Sequence, residues 1–265
     1  MVNLKIEKLY FKYGKHSILE DINLSVKEGE IFCLAGSNGA GKTTLLKCIN
    51  RLLIPKKGKI YINERNIKNL SGRELAQELA YVSQANKEKF PASVFDSILL
   101  GRRPYIKWKP TARDFDIVSS LIKKLELEKF SDKDIRELSG GERQKVLIAR
   151  ALAQDTNILL LDEPGNHLDL KHQLELMELL KELVEEKRIT VIITTHDLNL
   201  AARYCDKIAM LEAGKIHALG NVDIINSANI RNVYHVNAEI KEEAGKPYVI
   251  PLNSISRAKN NTMEG

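Results

Sequence analysis

The sequence predicts an α/β protein, a parallel sheet core with a β-rich N-terminal part and an inserted helical part, and three observations predict the core and the insert. An apolar strand at 30–35 runs into a glycine-rich loop and then into a helical pattern, Leu45, Leu46, Ile49, Leu52 and Leu53, which Pro55 and Gly58 stop. Strand signals return at 158–161 and 190–195, on either side of a long amphipathic helix at 171–186. Strands alternating with helices make a parallel sheet. Between these two blocks, 85–150 carries helical patterns and no clear strand.

Taken in order, residues 4–11 alternate loosely and 18–26 reads as a second short strand, with Gly14 and Gly29 as turn signals. Further β signals stand at 59–62 and 80–83, and a helix is expected at 142–154, where Val146, Leu147, Ala149 and Leu152 are apolar. These readings divide the chain into a domain of 1–225, with its core at 1–84 and 151–225 and a helical subdomain at 85–150, and an extension of 226–265. From about Asn226 the pattern weakens, and 253–265 is polar enough to be a frayed end.

Composition sets the outer limits. The 265 residues hold 41 Lys and Arg against 35 Asp and Glu, a net charge of +6, with 43% apolar and 29% charged residues. That is enough apolar material for a large core and too little bias for a disordered or collagenous chain. No run approaches 18 apolar residues, and the start lacks the basic and apolar stretches of a signal peptide, so neither membrane crossing nor export is expected. Cys33, Cys48 and Cys205 form no CxxC pair, which predicts reduced thiols and a cytosolic setting.

Chemistry concentrates at three places. Gly36-Ser37-Asn38-Gly39-Ala40-Gly41-Lys42-Thr43 fits GxxxxGK[ST] between a strand and a helix, where backbone N–H groups converge and the helix dipole favours an anion. A triphosphate suits it: Lys42 can reach the β- and γ-phosphates, the Thr43 hydroxyl can ligate Mg²⁺, and the glycines let the backbone come close. At the second place, an apolar strand ends in Asp162-Glu163-Pro164, at the edge of a parallel sheet where ligands bind. Asp162 can hold Mg²⁺, directly or through water, and Glu163 is placed to polarise the water that attacks a γ-phosphate. The third is Leu138-Ser139-Gly140-Gly141-Glu142 before a helix. Alone it is a serine cap with two flexible glycines, yet it makes a second helix start able to hold an anion.

These motifs, in this order, resemble the nucleotide-binding subunit of ABC transporters over nearly the whole chain. The phosphate loop looks like its Walker A motif, 138–142 like its LSGGE signature, and the strand ending in Asp162 and Glu163 like its Walker B motif. The resemblance implies a P-loop NTPase core with an N-terminal antiparallel β subdomain and an inserted helical subdomain, and an ATP-hydrolysing subunit whose ATP-binding set is Tyr13, Gly36, Ser37, Asn38, Gly39, Ala40, Gly41, Lys42, Thr43 and Thr44. It further implies catalytic roles for Glu163, His196 and Lys42 and Mg²⁺ ligation by Thr43, Gln84 and Asp162. Two copies would pair head to tail, so that Ser139, Gly140, Gly141 and Glu142 of one contact the γ-phosphate held by Lys42 of the other. Taken without the resemblance, Gln84 is a loop residue, Tyr13 a half-buried core aromatic and His196 a satisfied core histidine.

Within the family, residues 99–105, 146–154, 163–173 and 196–205 resemble the branch importing iron-siderophores, haem and cobalamin. Membership implies integral membrane permease subunits as partners, a solute-binding protein acting indirectly, no nucleic acid, and a place at the cytoplasmic face of the membrane. Gly165 stands where that branch commonly has threonine, and glycine adds backbone freedom beside Glu163.

Weaker signals lead elsewhere. His167 and His172 lie five apart and suggest no zinc site. Arg102, Arg103, Lys107, Trp108 and Lys109 read as a solvated loop rather than a nucleic-acid surface. Asn86-Lys87-Glu88-Lys89 lacks the aspartate of the guanine-reading NKxD pattern, which favours ATP. The rival reading is a soluble ABC ATPase acting on DNA or ribosomes. It is disfavoured because Thr44 and Leu138 are 94 positions apart with no sustained heptad, and the chain holds one cassette. A silent binding module would not need every hydrolytic position filled.

Overall fold

In the computed structural model, residues 2–84, 91–166 and 168–255 are described. Asn86-Lys87-Glu88-Lys89, His167 and residues 256–265 of the end expected to fray from 253 lie outside them, while Asn253 and Ser254 belong to the last strand. Alternation at the start builds two long strands, β1 (Val2–Tyr13) and β2 (His16–Lys27), and the continuous apolar run builds β3 (Ile31–Gly36), with all six residues buried. Helix α1 (Lys42–Ile49) follows the glycine loop, then β4 (Lys57–Ile62) and β5 (Arg65–Asn66). Helix α2 (Gly72–Glu78), started by a Ser71/Glu74 capping box, leads into β6 (Leu79–Val82). Next come α3 (Val94–Leu99), α4 (Ala112–Lys124) and α5 (Gly140–Ala153). The chain then alternates β7 (Ile158–Asp162), α6 (Leu170–Lys187), β8 (Thr190–Thr194), α7 (Leu198–Tyr204) and β9 (Lys207–Glu212). It ends with β10 (Lys215–Gly220), α8 (Ser227–Tyr234), β11 (Val236–Glu243) and β12 (Lys246–Ser254).

Two sheets result. An antiparallel sheet of order β2-β1-β4-β5 stands beside a six-stranded sheet of order β10-β9-β3-β8-β7-β6, parallel except for the edge hairpin β9-β10. The period of two along β3 feeds two apolar clusters. Phe32 and Leu34 join α1 and the antiparallel sheet, while Ile31, Cys33 and Ala35 face α5, α6 and α7. This double burial is why the parallel strands read as unbroken apolar runs. The strand order β3-β8-β7 also brings the carboxyl ends of these strands side by side, since Leu34 pairs with Thr194 and Asp162 pairs with Thr194.

Two expectations change. Arg102 is not part of a solvated loop: it is buried, its Nε donates to Asp114 Oδ1 at 2.9 Å, and its Nη1 donates to the Ala153 carbonyl at 2.8 Å. A guanidinium can be buried this way because its fork satisfies both a carboxylate and a helix-end carbonyl. Trp108 nearby is fully solvent-exposed, as a loop residue should be. The weak pattern beyond Asn226 hides real structure, and β12 reaches Ser254. Ile225, Ile230, Val233, Ala238 and Val249 join the main core, and the Asn199 side chain of α7 is bonded to both backbone groups of Val249. β11 exposes mostly charged residues, while β12 leaves Tyr248 and Leu252 exposed, so apolar character does not track burial along this hairpin and the alternation carries little hydrophobic contrast.

Candidate active site

The phosphate loop is shaped by close backbone approach. At Gly36, φ is +144° and a Cβ would fall 2.4 Å from the Leu211 carbonyl oxygen. At Gly41, φ is +104° and a Cβ would meet Leu19 at 2.8 Å. Only glycine fits either place. Gly41 also precedes α1 without offering a side-chain cap, so the first N–H groups of the helix stay free for an anion. Ile18, residues 38–44, Gln84 and Glu163 line the resulting cradle.

Lys42 is buried, and its Nζ donates to the carbonyls of Gly36 at 2.7 Å and Ser37 at 3.1 Å. Burial lowers its pKa, and the carboxylates of Glu163 and Asp162 act against that. The ammonium is thus held within the loop by neutral oxygens that a phosphate can replace.

Asp162 closes the other side. Its Oδ1 accepts from the hydroxyls of Thr43 at 2.9 Å and Thr194 at 3.0 Å, and its Oδ2 accepts from the Tyr81 hydroxyl at 3.3 Å. Burial, with the Asp162 charge next, pushes the Tyr81 phenol up, so it remains a donor. Glu163 follows at a left-handed φ of 50°, a conformation that costs a non-glycine residue about 1 kcal/mol and needs outside support. The support is visible: its N–H donates to Thr194 Oγ1 at 2.8 Å, and its Oε2 accepts from Gln84 Nε2 at 2.6 Å and from Asn166 Nδ2. His196 Nδ1 lies 3.3 Å from Glu163 Oε1.

The structure therefore brings Lys42, Thr43, Asp162, Glu163, Gln84 and His196 into one site. Gln84 spends its amide N–H on Glu163, leaving its carbonyl oxygen as the group that could reach a cation. Tyr13 sits at the end of β1, half exposed, its ring edge-on to Phe11 at 4.9 Å between centroids. It is not among the residues lining the cradle. Gly165 does not use glycine's freedom, because its φ is ordinary and a Cβ would make only a normal contact, 3.7 Å from Gln173. A Cβ is accommodated there without strain.

Ser139 to Glu142 are not in the cradle either. They start α5 as a complete capping box: Ser139 N and Oγ donate to Glu142 Oε2 at 2.8 and 2.7 Å. Those bonds, the hydroxyl's first, hold the Glu142 carboxyl below its usual range. Three site residues, Tyr81, Asn166 and Thr194, escaped sequence reasoning. Thr194 offered a signal, a hydroxyl at the carboxyl end of an otherwise apolar strand beside a strand ending in two acids.

The sequence profile described as ABC transporter matches residues 19–166. The chain belongs to the ABC transporter family. Among its relatives, an ABC transporter ATP-binding protein of Methanocaldococcus jannaschii, itself uncharacterized, is 48% identical over 94% of this chain and 98% of its own length. The iron(3+)-hydroxamate import ATP-binding protein of Bacillus subtilis is 34% identical over 98% of both chains. The ferric enterobactin transport ATP-binding protein of Escherichia coli is 32% identical over 99% of this chain and 98% of its own. Among solved structures, a chain of a metal-chelate type ABC transporter in an inward-facing conformation superposes with a TM-score of 0.83 at 29% identity, covering 95% of this chain and 98% of that one. A dimeric bacterial ABC transporter cassette gives 0.73 at 30% identity, covering 82% and 98%. The chain is accordingly an ATPase of the transporter class, with the parallel core and antiparallel sheet of ABC cassettes. Among its described residues no helix is long and apolar enough to cross a membrane.

Proposed function

We propose that the ATPase works as a head-to-tail pair that closes around two Mg-ATP and drives uptake of a ferric chelate through a membrane permease, from the cytoplasmic face. The observation that carries the reading is the separation of its two anion sites. The cradle of Lys42 and Glu163 is open to solvent, while the second anion-ready helix start, Ser139 to Glu142, lies outside it in the same chain. A second copy would bring the two together.

In that closed pair Lys42 and the loop N–H groups would bind the phosphates. Thr43 and Asp162 are the oxygen ligands that suit Mg²⁺, which usually keeps several waters and needs few protein groups, and when bound it would neutralise charge on the transferring group. Glu163, steered by Thr194, Asn166 and Gln84, would orient the attacking water and take its proton, with His196 beside it. The partner's serine would complete the charge stabilisation, after displacing its own Glu142. Tyr13 would stack on adenine.

An open groove lined by Arg73, Leu100, Arg103, Pro104 and Gln154, with exposed Leu100 and Trp108 nearby, supports a permease docking on the helical side. The relatives named for hydroxamate and enterobactin iron support a ferric siderophore as cargo, delivered by a solute-binding protein. Haem and cobalamin become outcomes of the same test. Vesicles holding the reconstituted transporter should accumulate ferric hydroxamate in an ATP-dependent way. ATP hydrolysis that ignores the permease and every chelate offered would overturn the proposal.

A further inference from the structure

The loop after Glu163 and the start of α5 touch within one protomer through His172. An ideal Cβ on Gly141 would stand 3.4 Å from both Cγ and Cδ2 of His172 and 3.6 Å from its Nδ1. Three ring atoms at nearly one distance mean that the imidazole face lies on the helix start. The ring is held there by Asp169, whose Oδ1 is 2.7 Å from His172 Nδ1 and accepts from the His172 N–H at 2.9 Å. The next residue, Gln173, donates to the carbonyls of Gly165 at 3.1 Å and Leu168 at 3.3 Å. One turn of α6 thus fixes both the loop that carries Asn166 to Glu163 and the glycine of the signature.

The signature needs such a support. Gly140 and Gly141 open α5, and each glycine in a helix costs about 0.5–1 kcal/mol relative to alanine. Alongside, a cleft of about 290 Å³ between α5 and α6 leaves that seam open, with Lys145 and Glu175 meeting across it at 3.2 Å. That ion pair is part-exposed and supplies little.

We infer that His172 is a positioning residue, which holds the signature helix start of its own chain in the geometry that receives the γ-phosphate of the partner's ATP. The inference rests on the head-to-tail reading. It makes α6 the physical link between the hydrolytic glutamate of one ATP site and the signature serving the other.

The test places His172→Ala and His172→Phe in a Glu163→Gln background and measures dimer formation against MgATP concentration by light scattering. A fluorescent ATP analogue measures nucleotide binding to the protomer at low protein concentration. The expected result is that His172→Ala raises the half-saturating ATP for dimerisation about fivefold, the equivalent of roughly 1 kcal/mol, while protomer affinity stays unchanged. His172→Phe, which keeps a ring of similar size, should restore dimerisation to within about twofold. Equal dimerisation of His172→Ala and its parent, or a phenylalanine variant as weak as the alanine one, overturns the inference. If the Glu163→Gln parent itself fails to dimerise, the head-to-tail reading has failed instead.

Discussion

Thr194 gives the sharpest test of how the two acids are held. It is fully buried, and its one hydroxyl donates to Asp162 Oδ1 and accepts from the Glu163 N–H. Thr194→Val keeps the shape and removes both bonds. A hydrogen bond to a charged group contributes about 1.5–3 kcal/mol and leaving an N–H unpaired costs about 1 kcal/mol more, so the loss should be about 3 kcal/mol. For a chain of this size that corresponds to a fall of about 6–12 °C in Tm. Freed from its tether, Glu163 can leave its left-handed conformation, and turnover should drop about tenfold, ~1.4 kcal/mol of barrier. Thermal unfolding by circular dichroism without nucleotide and a phosphate-release assay read the two effects. Thr194→Ser is the control, since it retains the hydroxyl. A valine variant that melts within about 2 °C of the parent and hydrolyses ATP at the parental rate would refute the reasoning.

Lys42→Ala should lose most ATPase activity, because it removes the one ammonium inside the loop that can meet the phosphates; a phosphate-release assay showing near-normal turnover would remove that role. Asp114 should confer an acid limit on stability. The Thr111 N–H and then the Arg102 guanidinium hold its pKa at about 2, against an ordinary 3.8. A depressed carboxyl stabilises the fold above its unfolded pKa and loses that contribution as pH falls through the folded one. About 2 kcal/mol should therefore be present above pH ~4 and lost between about pH 4 and 2, a slope in urea midpoint that Asp114→Asn should flatten. Tyr13→Phe should leave the KM for ATP within about twofold while Tyr13→Ala raises it several-fold, because stacking contributes about 1–3 kcal/mol per base through the ring face alone.

The parts of the site that are contiguous in the chain were legible. The loop proposed to hold phosphates would work through its own backbone, so Gly36, Gly41, Lys42 and Thr43 announce themselves by spacing. Asp162 and Glu163 announce themselves as charge at the end of an apolar strand. What was not legible depends on neighbours that only the sheet order creates. Thr194, Tyr81 and Asn166 are ordinary residues until β6, β7 and β8 are laid side by side. Arg102 reads as solvated because its burial depends on Asp114, twelve positions away, and on the last turn of α5. Helix α8 and the hairpin β11-β12 were blurred for a related reason, since they meet the core through a few residues, Ile230, Val233, Ala238 and Val249, scattered among polar ones. Gly165 shows the reverse case, a glycine whose described backbone conformation does not require glycine.

The account turns on whether two copies share each ATP. Glu163→Gln removes the carboxylate proposed as the base and keeps the shape, so nucleotide should bind and persist. Measured by light scattering on a sizing column, the variant is predicted to be a dimer of two 265-residue chains with MgATP present and a monomer without it. A variant that binds MgATP and stays monomeric at every protein concentration would contradict the account.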